Sequence, residues 1–197
     1  MKAEVDLVDI GGGNIGSISR CLERLNVRYR KSDAANPPDG SRPLVVPGVG
    51  AFGAVMQSLR ASELDKRLVE LVGAGTPYLG ICVGMQILFD GSEESTASPG
   101  LSLVPGKVVR FRHPKVPQIG WNKLTSLSKQ WQPGYAYFVN SYFPVPDNAG
   151  DTLYEANYGG SFCAAIRRGN VTAFQFHPEK SGAFGESLLT RWVENVG

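Results

Sequence analysis

Three short apolar runs in the first half of the chain, Val5 to Ile10, Pro43 to Val46 and Pro77 to Ile81, each meet a turn rich in glycine. Gly11-Gly12-Gly13 follows the first and Pro47-Gly48-Val49-Gly50 the second, while Gly80 and Gly84 stand two positions on either side of Cys82 at the end of the third. After the first turn Ile15, Ile18, Leu22 and Leu25 recur at helical spacing, and the stretch from Cys82 to Phe89 also reads as a helix. A buried strand that turns sharply into a helix is the repeating unit of a parallel α/β sheet. In an open sheet of that kind the loops beyond the carboxyl ends of the strands converge on one edge, where ligands bind. The pattern therefore predicts an α/β fold with a doubly wound, mostly parallel sheet, and three glycine turns meeting at one crevice.

The remainder adds to this plan. Ser62 to Asp65 reads as an S-x-x-D cap for a helix whose apolar face is Leu64, Leu68, Leu71 and Val72. Asp90 to Gly100 is polar, reads as loop, and contains the acidic pair Glu93 and Glu94. From Leu101 onward the chain alternates in short stretches without intervening helices: Leu103 to Phe111, Ile119 to Leu127, Tyr135 to Val145, Thr152 to Tyr158 and Phe162 to Arg168. Arg167-Arg168-Gly169-Asn170 reads as a hairpin turn into Val171 to Phe176, and a helix from about Phe184 to Val196 closes the chain. These additional strands are antiparallel in expectation. With no long linker and no internal repeat, residues 1–197 are expected to form one domain.

Charge excludes some functions. Twenty Lys and Arg against eighteen Asp and Glu leave a net charge of +2, without the basic clustering that nucleic acid or an anionic membrane requires. No segment approaches the roughly 20 apolar residues of a membrane span, and a cytoplasmic location is expected. The three cysteines, Cys21, Cys82 and Cys163, have neither metal-ligand spacing nor an even count, which fits reduced thiols and neither metal nor cofactor.

Two chemistries compete for the glycine turns. Gly11, Gly13 and Gly16 match G-x-G-x-x-G, with Asp33 after a second strand at Val27 to Arg30, which is the arrangement of a dinucleotide-binding module. Any tight strand-to-helix turn selects glycine for steric reasons, however, and no second nucleotide feature follows. G-x-C-x-G around Cys82 is the thiol form of a nucleophile elbow, placing Cys82 at a helix start where unpaired N–H groups favour a thiolate. The alternative is an ordinary buried cysteine. A nucleophile needs a base, and the chain has two histidines. His113 lies between Arg112 and Lys115 in a loop and is a poor partner. His177 ends the apolar run Ala173-Phe174-Gln175-Phe176 and precedes Pro178, which holds it extended, so Glu179 can turn back onto one imidazole nitrogen and leave the other for Cys82.

Taken together, PGVGAFG, LGICVGMQILF, GWN, YFVNSY and QFHPEKS resemble, in order and over nearly the whole chain, the motifs of the triad (class I) glutamine amidotransferases, and among these the glutaminase subunits of imidazole glycerol phosphate synthases. The resemblance implies that Cys82 attacks the side-chain amide of glutamine, that His177 moves the protons, and that Glu179 holds His177. It implies oxyanion donors at Val83 and in the turn at Val49 and Gly50, and substrate contacts from Gly48, Gln86, Glu94, Ser141 and Tyr142. It implies ammonia transfer to a cyclase subunit, a (β/α)8 barrel, as heterodimer partner in histidine biosynthesis, with Asn14, Trp121, Tyr137 and Lys180 near the interface. Two positions depart from the pattern: Ile10-Gly11-Gly12-Gly13-Asn14 replaces Tyr-Gly-Met-Gly-Asn, and Asn140 stands where histidine is usual. A paralogous glutaminase that supplies a surface-sugar amidating enzyme is the alternative these departures raise.

Overall fold

The first apolar run forms β1 (Glu4–Val8), followed by α1 (Ile15–Arg24) and β2 (Arg28–Ser32), in a computed structural model that describes residues 4–11 and 15–196. Gly12, Gly13 and Asn14 lie outside the described residues, so the middle glycine of the dinucleotide pattern and the interface expectation for Asn14 fall there, while Gly11 and Gly16 are described. The second run forms β3 (Leu44–Gly48), then α2 (Phe52–Ala61) and α3 (Leu64–Gly73); the third forms β4 (Tyr78–Cys82) and α4 (Val83–Gln86). Every residue of β3 and β4 is buried, as strands in the middle of a sheet must be. β5 (Gly91–Ser92), β6 (Ser95–Pro99), β7 (Gly106–Arg110), β8 (Gln118–Ser126), β9 (Gly134–Asn140), β10 (Tyr142–Pro146), β11 (Thr152–Asn157), β12 (Ser161–Arg168) and β13 (Val171–Phe174) follow, and α5 (Gly182–Val196) ends the chain.

The main sheet has nine strands in the order β2-β1-β3-β4-β13-β12-β11-β8-β9. Its pairings are parallel from β2 to β13 and antiparallel from β13 to β9. A second, four-stranded sheet runs β10-β7-β5-β6. The late strand β13 thus inserts beside β4, with Phe174 opposite Ile81, which brings the segment after Phe174 level with Cys82. Near the outer edge, Asp6 of β1 is wholly buried and accepts two 2.8 Å hydrogen bonds from Arg30, its register partner on β2. Removing Arg30 would strand the buried Asp6 carboxylate, whereas Arg30 itself keeps contact with solvent.

Several local expectations change. Ser62 does not cap α3: its hydroxyl donates back to the Ser58 and Leu59 carbonyls, and Glu63, at φ +59°, holds the N-cap position without a side-chain cap. The reason is that α2, which the sequence pattern did not reveal, ends immediately before it. The 90–100 segment is not loop but the strands β5 and β6. The helix after Cys82 lasts a single turn, because the Ile87 and Leu88 carbonyls accept from Leu101, Leu103 and Val104 instead of continuing the helix. Tyr135 to Val145 is two strands in different sheets, divided at Ser141.

Candidate active site

The local backbone around Cys82 follows from its neighbours. Cys82 has φ +55° and ψ −112°, a positive-φ conformation outside the common basins that a non-glycine residue adopts only when its surroundings enforce it. A Cβ on Gly80 would strike the Gly84 carbonyl, and one on Gly84 would run into the Val46 carbonyl oxygen, so both positions admit only glycine. The buried Tyr78 hydroxyl donates to the Gly84 carbonyl at 2.7 Å and ties the turn to the start of its own strand. The N–H of Val83, first residue of α4, has no acceptor within so short a helix.

His177 arrives from the neighbouring strand. Its N–H donates to the Tyr137 carbonyl at 3.0 Å, and its carbonyl accepts from the Ser181 hydroxyl at 2.7 Å, which in turn accepts from the Tyr137 N–H at 2.9 Å. Pro178 opens a 3-10 turn, Pro178–Lys180, that folds Glu179 back so that its Oε1 lies 2.9 Å from His177 Nδ1. Both side chains are buried. Burial works against the charged imidazole, but the neighbouring Cys82 sulfur and the hydrogen-bonded Glu179 carboxylate outweigh it, raising the His177 pKa to about 9. With Nδ1 committed to Glu179, Nε2 is the nitrogen left for the Cys82 sulfur.

Cys82 and His177 open onto a cavity of about 340 Å³ that Val49, Gly50, Val83, Gln86, Glu94, Ser141, Tyr142 and Lys180 also line. Gly48 lies beneath the cavity wall, where a Cβ would press on Ile10, Val83 and Gly84. Glu179 is behind His177. Trp121 and Tyr137 are not in the lining; they stand on β8 and β9, paired in register with their rings 6.1 Å apart. Gln86 Nε2 is taken up by the Tyr142 carbonyl at 3.3 Å and Gln175 Oε1 at 3.0 Å, so the oxygen is the group it can present to a ligand. Glu94 Oε2 accepts from the Phe52 N–H. The cavity wall thus offers the Glu94 carboxylate and the Gln86 oxygen as acceptors and the Lys180 ammonium as a cation, together with a sulfur and an imidazole.

Other titratable candidates are placed elsewhere. His113 packs at a tilt against Tyr158 with ring centroids 4.4 Å apart and is not in the cavity lining. Asp33 Oδ1 accepts from the Ala35 and Asn36 N–H groups and closes its own loop. Cys163 is buried, which pushes its thiol up to about 12, and burial also raises Cys21. Among the described residues no group of three or more His, Cys, Asp or Glu is arranged to hold a metal ion, and no helix is long and apolar enough to cross a membrane. Sequence reasoning passed over Gln175, fully buried, whose Nε2 lies 3.9 Å from Cys82 Sγ. The available signal was its place two residues before His177 in a run whose apolar pattern reads as strand, where alternate side chains share a face, although the strand itself ends at Phe174.

Comparison with known proteins bears on the chemistry. The family profile described as glutamine amidotransferase class-I matches residues 6–196. A protein of Geobacillus sp. (strain WCH70) named imidazole glycerol phosphate synthase subunit HisH is 40% identical over 204 residues, covering 98% of this chain and 97% of that one. A protein of the same name from Deinococcus radiodurans is 44% identical over 203 residues, covering 96% and 92%. Solved structures share the fold at lower identity. One described as a glutamine amidotransferase has a TM-score of 0.78 at 19% identity over 98% of this chain and 100% of that one. Another, PurLQS from Thermotoga maritima, has a TM-score of 0.80 at 15% identity and full coverage of both. A family match over residues 6–196 and full-length identity of 40% or more to two HisH subunits place this chain in the class-I glutamine amidotransferase family, in the branch of imidazole glycerol phosphate synthase HisH subunits.

Proposed function

We propose that this chain hydrolyses glutamine through a Cys82-His177-Glu179 triad and passes the ammonia to a cyclase subunit that makes imidazole glycerol phosphate in histidine biosynthesis. The observation that carries the reading is the strained, glycine-flanked Cys82 sharing one cavity with a His177 that Glu179 holds at 2.9 Å, all at one end of the parallel strands. Cys82 Sγ attacks the carboxamide carbon of glutamine, and the developing oxyanion meets the Val83 N–H and the turn at Val49 and Gly50. His177 gives its proton to the departing nitrogen, leaving ammonia and a glutamyl thioester. Water then attacks the thioester carbon, His177 takes the water's proton, and the C–S electrons return to sulfur as glutamate leaves. Glu179 keeps the imidazole in the tautomer whose Nε2 faces the sulfur. Glu94 and the Gln86 oxygen receive the substrate α-ammonium, and Ser141 and Tyr142 complete that wall.

Ammonia released into water would be protonated and lose its nucleophilicity, so a second protein must seal the cavity. The surface beside the cavity suits that role. On β8 and β9, Ile119 (65% exposed), Trp121 (58%), Tyr135 (59%) and Val139 share one face, with Ile119 opposite Val139 and Trp121 opposite Tyr137. Val139 and Lys180 join this face to the cavity. An exposed, aromatic-rich patch of this kind is characteristic of a protein interface. The HisH names of the relatives favour the histidine-pathway cyclase over a sugar-amidating partner.

The deciding experiment measures glutaminase activity with and without the cyclase subunit, together with labelling by a glutamine-like electrophile. Stimulated hydrolysis, with labelling at Cys82 that Cys82→Ala abolishes, is expected. Labelling confined to Cys21 or Cys163 would overturn the reading.

A further inference from the structure

The buried amides behind the cavity form a chain whose direction one backbone oxygen sets. The Tyr142 carbonyl accepts from Gln86 Nε2 at 3.3 Å and from Asn140 Nδ2 at 2.9 Å. A carbonyl oxygen cannot donate, so Gln86 must turn its NH2 group toward it. That same NH2 group lies 3.0 Å from Gln175, which must therefore present Oε1 to it. With Oε1 on that side, the Gln175 NH2 group points the other way, where it lies 3.9 Å from Cys82 Sγ. Gln175 is fully buried and Gln86 nearly so, which keeps water from competing for these groups.

We propose that Gln175 is a positioning residue for the glutaminase reaction, a hydrogen-bond donor held against the Cys82 sulfur by Gln86 and the Tyr142 carbonyl. This inference rests on the reading of Cys82 as nucleophile and adds to it a second donor beside His177. The donor meets the sulfur when it carries negative charge: before attack on the carboxamide, and again when water cleaves the thioester and the C–S electrons return to sulfur. In the covalent intermediate the sulfur is neutral and a weaker acceptor, so the contact matters most at the two ends of the cycle. Gln175 also ties substrate binding to the nucleophile, because Gln86, which fixes its orientation, stands in the cavity wall.

The titratable groups facing the sulfur are His177, with Glu179 behind it, and Glu94, Tyr142 and Lys180 in the cavity lining. The test is the pH profile of Cys82 alkylation by iodoacetamide in the full chain, read by peptide mass spectrometry, for wild type, Gln175→Met, Gln175→Glu and Gln86→Met. Losing the donor should move the midpoint for Cys82 up by about one pH unit, about tenfold in thiolate population at a fixed lower pH. Gln175→Glu, equal in shape, should move it further, because it puts an anion against the sulfur. Gln86→Met should move it in the same direction although Gln86 does not touch the sulfur, a result that mere loss of packing would not give. An unchanged midpoint in any folded Gln175 variant, with Cys82 still labelled in wild type, overturns this inference and leaves the glutaminase reading intact. Failure to label Cys82 in wild type overturns both.

Discussion

Glu94 Oε2 accepts a 2.7 Å hydrogen bond from the backbone N–H of Phe52, the first residue of α2, whose N-cap Ala51 supplies no side-chain cap of its own. The carboxylate reaches there from the turn between β5 and β6 and anchors the helix that follows the Pro47-Gly50 turn. Under the proposed function the same carboxylate faces the glutamine α-ammonium, so it serves the fold and the substrate at once.

The two duties separate by substitution. Glu94→Gln keeps an acceptor for Phe52 and loses the charge that binds the ammonium. Its KM for glutamine should rise about 10- to 100-fold, the range of a lost charge-assisted hydrogen bond, with little change in Tm. Glu94→Ala should add a stability loss of about 1 kcal/mol, because an orphan helix N–H loses its partner. Steady-state kinetics and thermal unfolding of both variants check this.

The His177 pKa is raised to about 9 from its ordinary 6.5: burial pulls it down, but the neighbouring Cys82 and the hydrogen-bonded Glu179 more than offset that. A raised folded pKa contributes stability that is fully present below about 6.5 and is lost as the pH rises through about 9. Urea midpoints should therefore fall between pH 7 and pH 10 in wild type, and this fall should flatten in Glu179→Gln. The same variant should lose about 10³- to 10⁴-fold in kcat, since an amide no longer selects the useful tautomer.

Gly84 and Gly50 differ in what a methyl group would meet. At Gly84 it would collide with the Val46 carbonyl, and at Gly50 it would meet nothing within 4 Å but would sit on a residue at φ +106°. Gly84→Ala should cost about 3 kcal/mol or more and yield little folded protein. Gly50→Ala should fold, cost about 1 to 2 kcal/mol, and impair glutamine hydrolysis by displacing the Val49–Gly50 peptide. Denaturant unfolding and activity assays distinguish the two.

Trp121 is exposed and packs edge-on to Tyr137. Under the proposed function, Trp121→Ala should leave Tm nearly unchanged but weaken binding to the cyclase subunit by about tenfold or more, as expected for an aromatic anchor at an interface centre. Titration of the variant against the cyclase, followed by stimulated glutaminase activity, measures it.

What could be read along the chain was what short-range sterics dictate. Glycine on both sides of Cys82 answers to a backbone at φ +55°, and proline after His177 answers to an extended residue beginning a turn, so the candidate elbow and candidate base stood out by their neighbours. Strand content in the second half was legible for a similar reason: alternation reports a half-buried pleat. The boundary at Ser141, the one-turn α4 and the strands at 91–99 were not legible, because each is decided by pairing with a distant partner. Ser62 misled for want of the helix before it.

The family motifs, the nucleophile elbow and its candidate base are properties of local sequence, since only certain residues fit those backbone angles. The environment of the sulfur is not. Phe52 meets Glu94 across 42 residues and Gln175 meets Cys82 across 93, and both depend on how the chain folds back on itself, the second on β13 lying parallel to β4. Hydrogen bonds of that kind have no period and no spacing to reveal them, because their strength comes from burial that exists only once the sheet has assembled.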